Sequence, residues 1–565
     1  MHQNRPLEMY ETCRKLWLTL NQAQLQPVEE WIANKYQEDF SNNFGYLGNH
    51  PRPRIINLYK LDMSDICYLA EQGISHHYLF YNLRKTMRVG HLDPLAFQLT
   101  AVNEKTIYAV CPFTGKLLTS HYSLLANINV IFYRFESVQV FYVITAGLDG
   151  FKKNAIYFPQ QELIVTTGKS WAFEEDDLIE MQRRMVGSFD ASYRYLSKCR
   201  LSDRKVAVCI GFYHFAHHLW NELPGIDRLV RKGMIDSVDK FLVLREPLGD
   251  LRQIFPEIPA GKVERKTTTD AIYEEIVTND YFVVRIGDYA ISSDTVSRIY
   301  SVAKKNCRPE TLDKVQDARR QHSPLLWIGI RVGRRTWVNQ VDGLARLIDR
   351  LHTEFPGLGV VFDGFSLPAH KSDEWSNIQE FDEIVWQENQ VVSGIIENLK
   401  HCRRKTPGIF NIIGSSIYDA NIWAQAIDVY VSPYGTLQHK VGWLANKPGV
   451  IHANTIRLDW RADYIWTAVE HGTRPRYVPR AAVTDVPSIE KKPLIYAEAS
   501  DLNESGAGIL SHNRRISDWG MDNYELDWLA LYSDLVDLIR SYRMMQKWHQ
   551  NISHTIPDKV DLFKL

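Results

Sequence analysis

Short apolar runs alternating with amphipathic stretches set the organisation of this chain from about residue 204 onward. The run Lys205-Val-Ala-Val-Cys-Ile-Gly211 predicts a buried strand with a helix after it. Further strands are expected at Phe241–Leu244 and Phe282–Ile286. After a polar stretch over 308–323 the alternation restarts, with strands at Leu325–Arg331, Gly359–Phe362, Gly408–Ile413, Val429–Ser432 and Gly449–His452. Helical patterns at about 340–355, 391–401, 418–427 and 438–446 fill the gaps. Strands alternating with helices predict parallel α/β sheets. Residues 1 to about 95 read as helical, and 96–170 as short β-rich runs at Ile107–Cys111, Val130–Arg134, Val138–Val143 and Glu162–Val165. Turn residues such as Asn103-Glu104 and Leu148-Asp149-Gly150 separate those runs. Residues 175–195 read as a charged linking helix, and 522–548 as a C-terminal helix carrying Leu526, Trp528, Leu529, Leu535, Leu538 and Ile539.

The predicted fold class is therefore α/β, with two facing Rossmann-like domains behind an N-terminal helical and β-rich extension. The expected boundaries are 1–195 for the extension, 204–315 and 322–490 for the two domains, and 520–565 for the C-terminal helix. Ligands of such sheets bind outside the carboxyl ends of the strands. A pair of such domains suits a transferase, with an acceptor on the first and a donor on the second.

Charge removes one class of partner. Among 565 residues, 66 Lys and Arg oppose 67 Asp and Glu, for a net charge of -1. A protein that coats nucleic acid carries a basic excess, so nucleic acid is not expected as a partner. The seven cysteines, at 13, 67, 111, 199, 209, 307 and 402, form no C-x-x-C pair. Neither a disulfide framework nor a structural zinc is expected, and a reducing, cytoplasmic setting fits. No apolar signal core opens the sequence. The most apolar region, Leu124–Leu148, is broken by Asn127, Asn129, Arg134 and Glu136, so no transmembrane segment is expected.

Three segments at predicted strand ends carry candidate chemistry. Ser432-Pro-Tyr-Gly-Thr-Leu-Gln-His-Lys440 runs from a strand into a helix. Gly435 permits close backbone approach, Thr436 offers a hydroxyl, Leu437 and Gln438 open the helix, and His439 or Lys440 adds charge. That is a setting for phosphate oxygens. Ile330-Arg-Val-Gly-Arg-Arg-Thr-Trp-Val-Asn339 places Arg331, Arg334 and Arg335 at another strand end. Guanidinium groups there could grip a diphosphate and stabilise its departure without a metal. The third segment, Ile210 to Gly225, concentrates His214, His217, His218 and Glu222. A His or Glu among them could take a proton from an acceptor hydroxyl, and the i, i+4 histidines also admit a metal site. Asp363, Gly414 and Glu470 are weaker candidates for contacts with a nucleotide, on position alone.

His217-His-Leu-Trp-Asn-Glu-Leu-Pro224 resembles the H-W-L-x-[DE]-x-L-P motif of a family of inverting glycosyltransferases. That family includes plant xylosyltransferases, the EGF-domain O-GlcNAc transferase and bacterial polysaccharide enzymes. Arg331…Arg335…Asn339 is similar to that family's basic strand end, and Ser432-Pro-Tyr-Gly-Thr…Pro448-Gly-Val450 to its donor loop. The resemblance covers about 205–455. The family's H-G-A-G is here Pro433-Tyr-Gly-Thr, and the Asn that usually precedes the motif's His is replaced near His214. What the resemblance implies is a GT-B fold, a nucleotide-sugar donor (UDP- or GDP-linked) as substrate, inversion without a metal, and no resident cofactor. The acceptor is a glycan, a lipid-linked sugar or a protein, and the base is His214, His217 or Glu222. Two alternatives stand beside it: a metal-dependent hydrolase using His214, His217 and His218, and a non-catalytic sugar- or partner-binding protein.

Overall fold

A computed structural model describes residues 5–23, 25, 53–83, 95–147, 152–167, 175–198, 204–288, 290–369, 378–402, 407–460, 462, 464–487 and 521–553. The chain divides into two compact units, the first ending at residue 289 and the second opening at Ala290. The expected turn at Leu148–Gly150 and the segments 488–520 and 554–565 lie outside the described residues.

The first unit contains two main sheets. Six strands form the larger: β1 (Arg54–Asn57), and, after the hairpin β2 (Ile107–Val110) and β3 (Leu117–Ser120), β4 (Ser123–Asn127), β5 (Val130–Phe135), β6 (Phe141–Ala146), β7 (Lys152–Phe158) and β8 (Leu163–Thr166). Their order is β1-β8-β7-β6-β5-β4, antiparallel except for the β1–β8 pair. β1 corrects the expectation that everything before residue 95 is helical. Every residue of β5 and β6 is buried, although Arg134 lies among them. Such continuous burial arises when both faces of a sheet are covered. One covering layer is the second sheet: Tyr133 Oη donates to the Val283 carbonyl at 3.0 Å, and the Val283 amide donates to Ser123 Oγ at 2.7 Å. The apolar stretch that is broken by Asn127, Asn129, Arg134 and Glu136 is thus strand and turn. The expected linking helix is two helices, Glu175–Gly187 and Phe189–Ser197.

The second sheet of this unit is all parallel. Its strands are β9 (Lys205–Ile210), β10 (Lys240–Val243), β11 (Val263–Arg265) and β12 (Tyr281–Val284), in the order β11-β10-β9-β12. Numbered from β9, that is 3-2-1-4.

The second unit repeats and extends this winding. It consists of β13 (Leu325–Gly329), β14 (Gly359–Asp363), β15 (Gly408–Asn411), β16 (Val429–Pro433), β17 (Gly449–His452) and β18 (Arg476–Tyr477), all parallel, in the order β15-β14-β13-β16-β17-β18. Numbered from β13 the order is 3-2-1-4-5-6, that of doubly wound nucleotide-binding sheets. β13, β14, β16 and β17 are buried throughout. The antiparallel pair β19 (Val483–Val486) and β20 (Asn523–Leu526) precedes the helix Trp528–Ser553, whose Leu531, Leu535 and Ile539 enter the same core at helical spacing. The polar stretch 308–323 is mostly the helix Pro309–Gln321, which buries only Thr311 and Ala318. Both it and the helix Ser293–Asn306 belong to the second unit.

In each sheet the winding reverses between the first and fourth strands: β9 and β12 in one unit, β13 and β16 in the other. The carboxyl ends of those strands form the crevice where ligands of this architecture bind.

Candidate functional site

The switch point of the second unit holds two of the predicted segments. Arg331, Arg334 and Arg335 follow β13, and all three are buried. The turn is fixed locally: Arg331 Nε donates to the Arg334 carbonyl at 2.9 Å, and Gln340 Nε2 donates to the Arg331 carbonyl at 2.9 Å. Arg335 has φ +57°, a left-handed conformation that is uncommon outside glycine and that marks a constrained position. β16 lies beside β13 and leads to Gly435, at φ +118° and ψ -152°, a region that essentially only glycine occupies. A Cβ placed on Gly435 would lie 3.6 Å from Arg335 Nη1 and 3.7 Å from Arg331 Nη1. Two buried guanidinium groups therefore converge on the one backbone position of the loop that lacks a side chain. The helix Thr436–Gly442 begins at the next residue.

Other residues of the loop have partners within the protein. Ser432 is buried, with Oγ donating to the Pro433 carbonyl at 3.2 Å. Leu437 is buried too. Gln438 Nε2 donates to Tyr430 Oη at 3.1 Å, and the His439 ring stacks on Trp443 with centroids 3.5 Å apart. Lys440 does not face an open anion site. Its Nζ donates to Asp363 Oδ1 and Oδ2 at 2.9 and 2.8 Å, to the Gly364 carbonyl at 2.7 Å and to Ser366 Oγ at 2.7 Å. Asp363 is committed to the same bridge. Burial raises its carboxyl above the usual range, and the Lys440 ammonium pulls it back. Gly414, at φ +77°, donates its amide to the Phe365 carbonyl. Glu470 accepts from the Ser293 amide at 2.9 Å, at the start of the helix Ser293–Asn306. Asn339 accepts from Trp337 Nε1 and from the Leu526 amide.

Close behind the arginines lies an aromatic pair that the sequence did not reveal. Tyr524 Oη and His452 Nδ1 are 2.7 Å apart, the Tyr524 hydroxyl lies within the field of Arg331 and Arg335, and His452 meets Trp337 edge-on. Burial pushes His452 down to about 3, so the ring is neutral near pH 7.

The switch point of the first unit holds the third segment. His214 precedes the helical turn Phe215–His217 in extended conformation, and a π-helical turn follows at His218–Glu222. π-turns are frequent at functional sites. Glu222 is pinned by its surroundings. The Gly211 amide donates to Oε1 at 2.8 Å, the Phe212 amide to both oxygens at 3.2 Å, Arg285 Nη2 to Oε1, and His218 Nδ1 lies 2.6 Å from Oε2. Burial works against ionisation, yet Arg285 and His218 together hold the carboxyl below its ordinary value. His217 Nδ1 faces Asn221 Oδ1 at 3.0 Å, and the His214 and His217 rings are 5.2 Å apart. His217 and His218 thus have different side-chain partners, Asn221 and Glu222. Among the described residues no group of three or more His, Cys, Asp or Glu is arranged to hold a metal ion. None of the described helices is long and apolar enough to cross a membrane.

No protein-family model matches the chain, and none of the curated proteins does. Among solved structures it is similar to the family 9 glycosyl transferase of Veillonella parvula DSM 2008, at 10% identity over 44% of this chain and 80% of that one, with a TM-score of 0.26. It is also similar to the α,α-trehalose 6-phosphate synthase of Burkholderia multivorans, at 9% identity over 52% of this chain and 70% of that one, with a TM-score of 0.24. The UDP-GlcNAc 2-epimerase of Neisseria meningitidis, in a structure with UDP-GlcNAc bound, matches at 13% identity over 47% of this chain and 86% of that one, with a TM-score of 0.23. At these TM-scores the likeness is partial, and the chain's own residues have to carry the function.

Proposed function

We propose that the protein is a glycosyltransferase of the GT-B class that transfers a sugar from a UDP- or GDP-linked donor to an acceptor hydroxyl with inversion. The observation that carries this is the convergence of Arg331 and Arg335 on Gly435 at the switch point of a 3-2-1-4-5-6 sheet. Two fixed cations beside a side-chain-free loop suit a diphosphate, whose oxygens take paired N–H donors from each guanidinium. The diphosphate is also the leaving group. The acceptor oxygen bonds to the anomeric carbon, the bond from that carbon to the phosphate oxygen breaks, and the electron pair leaves on the diphosphate. Negative charge grows there in the transition state, where preset donors are most effective. The acceptor is a glycan, a lipid-linked sugar or a protein.

Arg331→Ala tests this. Removing one charge-stabilising donor should lower kcat by at least ~100-fold. Turnover within a few-fold of the parent protein would overturn the phosphate assignment.

A further inference from the structure

We propose that β20 is a clasp that holds the arginine turn in the form that receives the diphosphate, with Asn523 and Tyr524 as its positioning residues. The inference rests on the nucleotide reading above, and every residue it uses belongs to the second unit. The turn after β13 carries both guanidinium groups and includes Arg335 at φ +57°. A residue with a Cβ keeps a left-handed conformation only where surrounding bonds over-determine it. Two bonds close the turn on itself: Thr336 Oγ1 donates to the Gly333 carbonyl at 2.9 Å, and Arg331 Nε to the Arg334 carbonyl at 2.9 Å. Neither engages the backbone amides on the two sides of the Arg335 Cα. β20 and its approach engage both. The Arg335 amide donates to the Met521 carbonyl at 3.3 Å. The Thr336 amide donates to Asn523 Oδ1 at 2.9 Å, 187 positions further along the chain. Holding the two peptide planes that flank a Cα fixes its φ and ψ.

The pairing continues past the turn. The Tyr524 amide donates to the Thr336 carbonyl at 3.0 Å, the Val338 amide to the Tyr524 carbonyl at 2.8 Å, and the Leu526 amide to Asn339 Oδ1 at 3.3 Å. The other edge of β20 pairs with β19, so the clasp is itself held. Tyr524 carries the hold across the switch point. Its buried hydroxyl lies 2.7 Å from Nδ1 of His452, the last residue of β17, and Asn454 Nδ2 donates to the Asp522 carbonyl at 2.8 Å. In the sheet β16 lies between β13 and β17. One strand therefore fixes the segments that follow both neighbours of the strand leading to Gly435.

A diphosphate gripped by Arg331 and Arg335 needs the turn in this form, and the turn keeps that form while β20 is docked. Binding and docking are then linked, and linkage acts in both directions. Loss of a clasp bond weakens the nucleotide, and the nucleotide tightens the clasp.

The test uses the full-length protein with UDP and GDP as probes, by calorimetric titration and by amide hydrogen exchange. Asn523→Ala should raise the Kd of the probe that binds the parent by at least ~5-fold. Ile539→Val trims the core of the same unit; it should lower the melting temperature and leave Kd unchanged, which separates positioning from general stability. In the parent, bound nucleotide should slow exchange at 335–338 and at 521–526 alike by at least ~5-fold, while the helix Pro309–Gln321 keeps its rate. If Asn523→Ala does not fold, exchange in the parent decides alone. A Kd for Asn523→Ala within twofold of the parent's would overturn the clasp. So would an equal rise in Ile539→Val, or slowing at 335–338 without slowing at 521–526. No binding of either probe by the parent would instead bring down the nucleotide reading, and the clasp with it.

Discussion

Two residues at the second unit's switch point carry positive φ angles. Arg335 sits at φ +57° and Gly435 at φ +118°. At Arg335 the usual order of substitution costs should invert. Glycine tolerates that φ and alanine does not, so Arg335→Gly should melt higher than Arg335→Ala while both lose nucleotide affinity. Calorimetric melts and nucleotide titrations of the two variants check this, and an alanine variant that melts higher would contradict it. Gly435→Ala should cost about 1–3 kcal/mol through its φ and ψ alone and place a methyl group between the two guanidinium groups. His452 gives a pH signature. Its pKa is about 3 in the fold and ordinary, about 6.5, when unfolded. Below pH 6.5 the unfolded chain therefore binds the extra proton, and stability falls as pH drops towards 3, by at most about 1.4 kcal/mol per pH unit. His452→Gln should flatten that slope in denaturant titrations across this range. At this scale the sequence was partly legible. Arg331, Arg335 and Gly435 stood out because a charged turn and a glycine followed apolar runs. The partners of Glu222, which are the Gly211 amide, His218 and Arg285, meet it only in the folded chain.

Among the elements, the strand–loop–helix unit around Gly435 is anchored by Lys440. That side chain ties the helix Thr436–Gly442 to the end of β14 through Asp363, Gly364 and Ser366. Lys440→Met would leave the Asp363 carboxylate buried without its cation and should cost about 3–5 kcal/mol. Arg346→Ala, at an exposed i, i+4 pair with Asp342, should cost no more than about 0.5 kcal/mol. Denaturant midpoints of the two variants separate these outcomes; equal costs would mean that the buried bridge does not anchor the loop. The long apolar strands were readable within a residue or two, because β9, β13, β14, β16 and β17 are buried runs that no surface helix would show. Elements with little apolar content were not. β1 is four residues long with two exposed positions, and β11 and β18 are shorter still. The helix Pro309–Gln321 buries two residues, so it offers no hydrophobic periodicity, although Pro309 at its first position is a helix-start signal that was there to be used.

For the whole molecule, the same winding recurs in both units, 3-2-1-4 and 3-2-1-4-5-6, and each reversal coincides with one charged constellation. Strand order is set by pairing between distant segments, so the sequence pattern disclosed the kind of elements and not their order. The division at residue 289 was equally hidden, because the helices Ser293–Asn306 and Pro309–Gln321 join the second unit through contacts such as Arg308 and Thr311 with Asp419. The central claim is that the second unit holds a nucleoside diphosphate. It is tested most directly by thermal shift of the purified protein against UDP, GDP, CMP, dTDP and their common sugars, with and without EDTA. A ligand at 100 times its Kd adds about 2.7 kcal/mol. Stabilisation by UDP or GDP and their sugars, unchanged by EDTA and abolished in Arg331→Ala, is the predicted result. No response to any nucleotide, or a response that Arg331→Ala leaves intact, would contradict it.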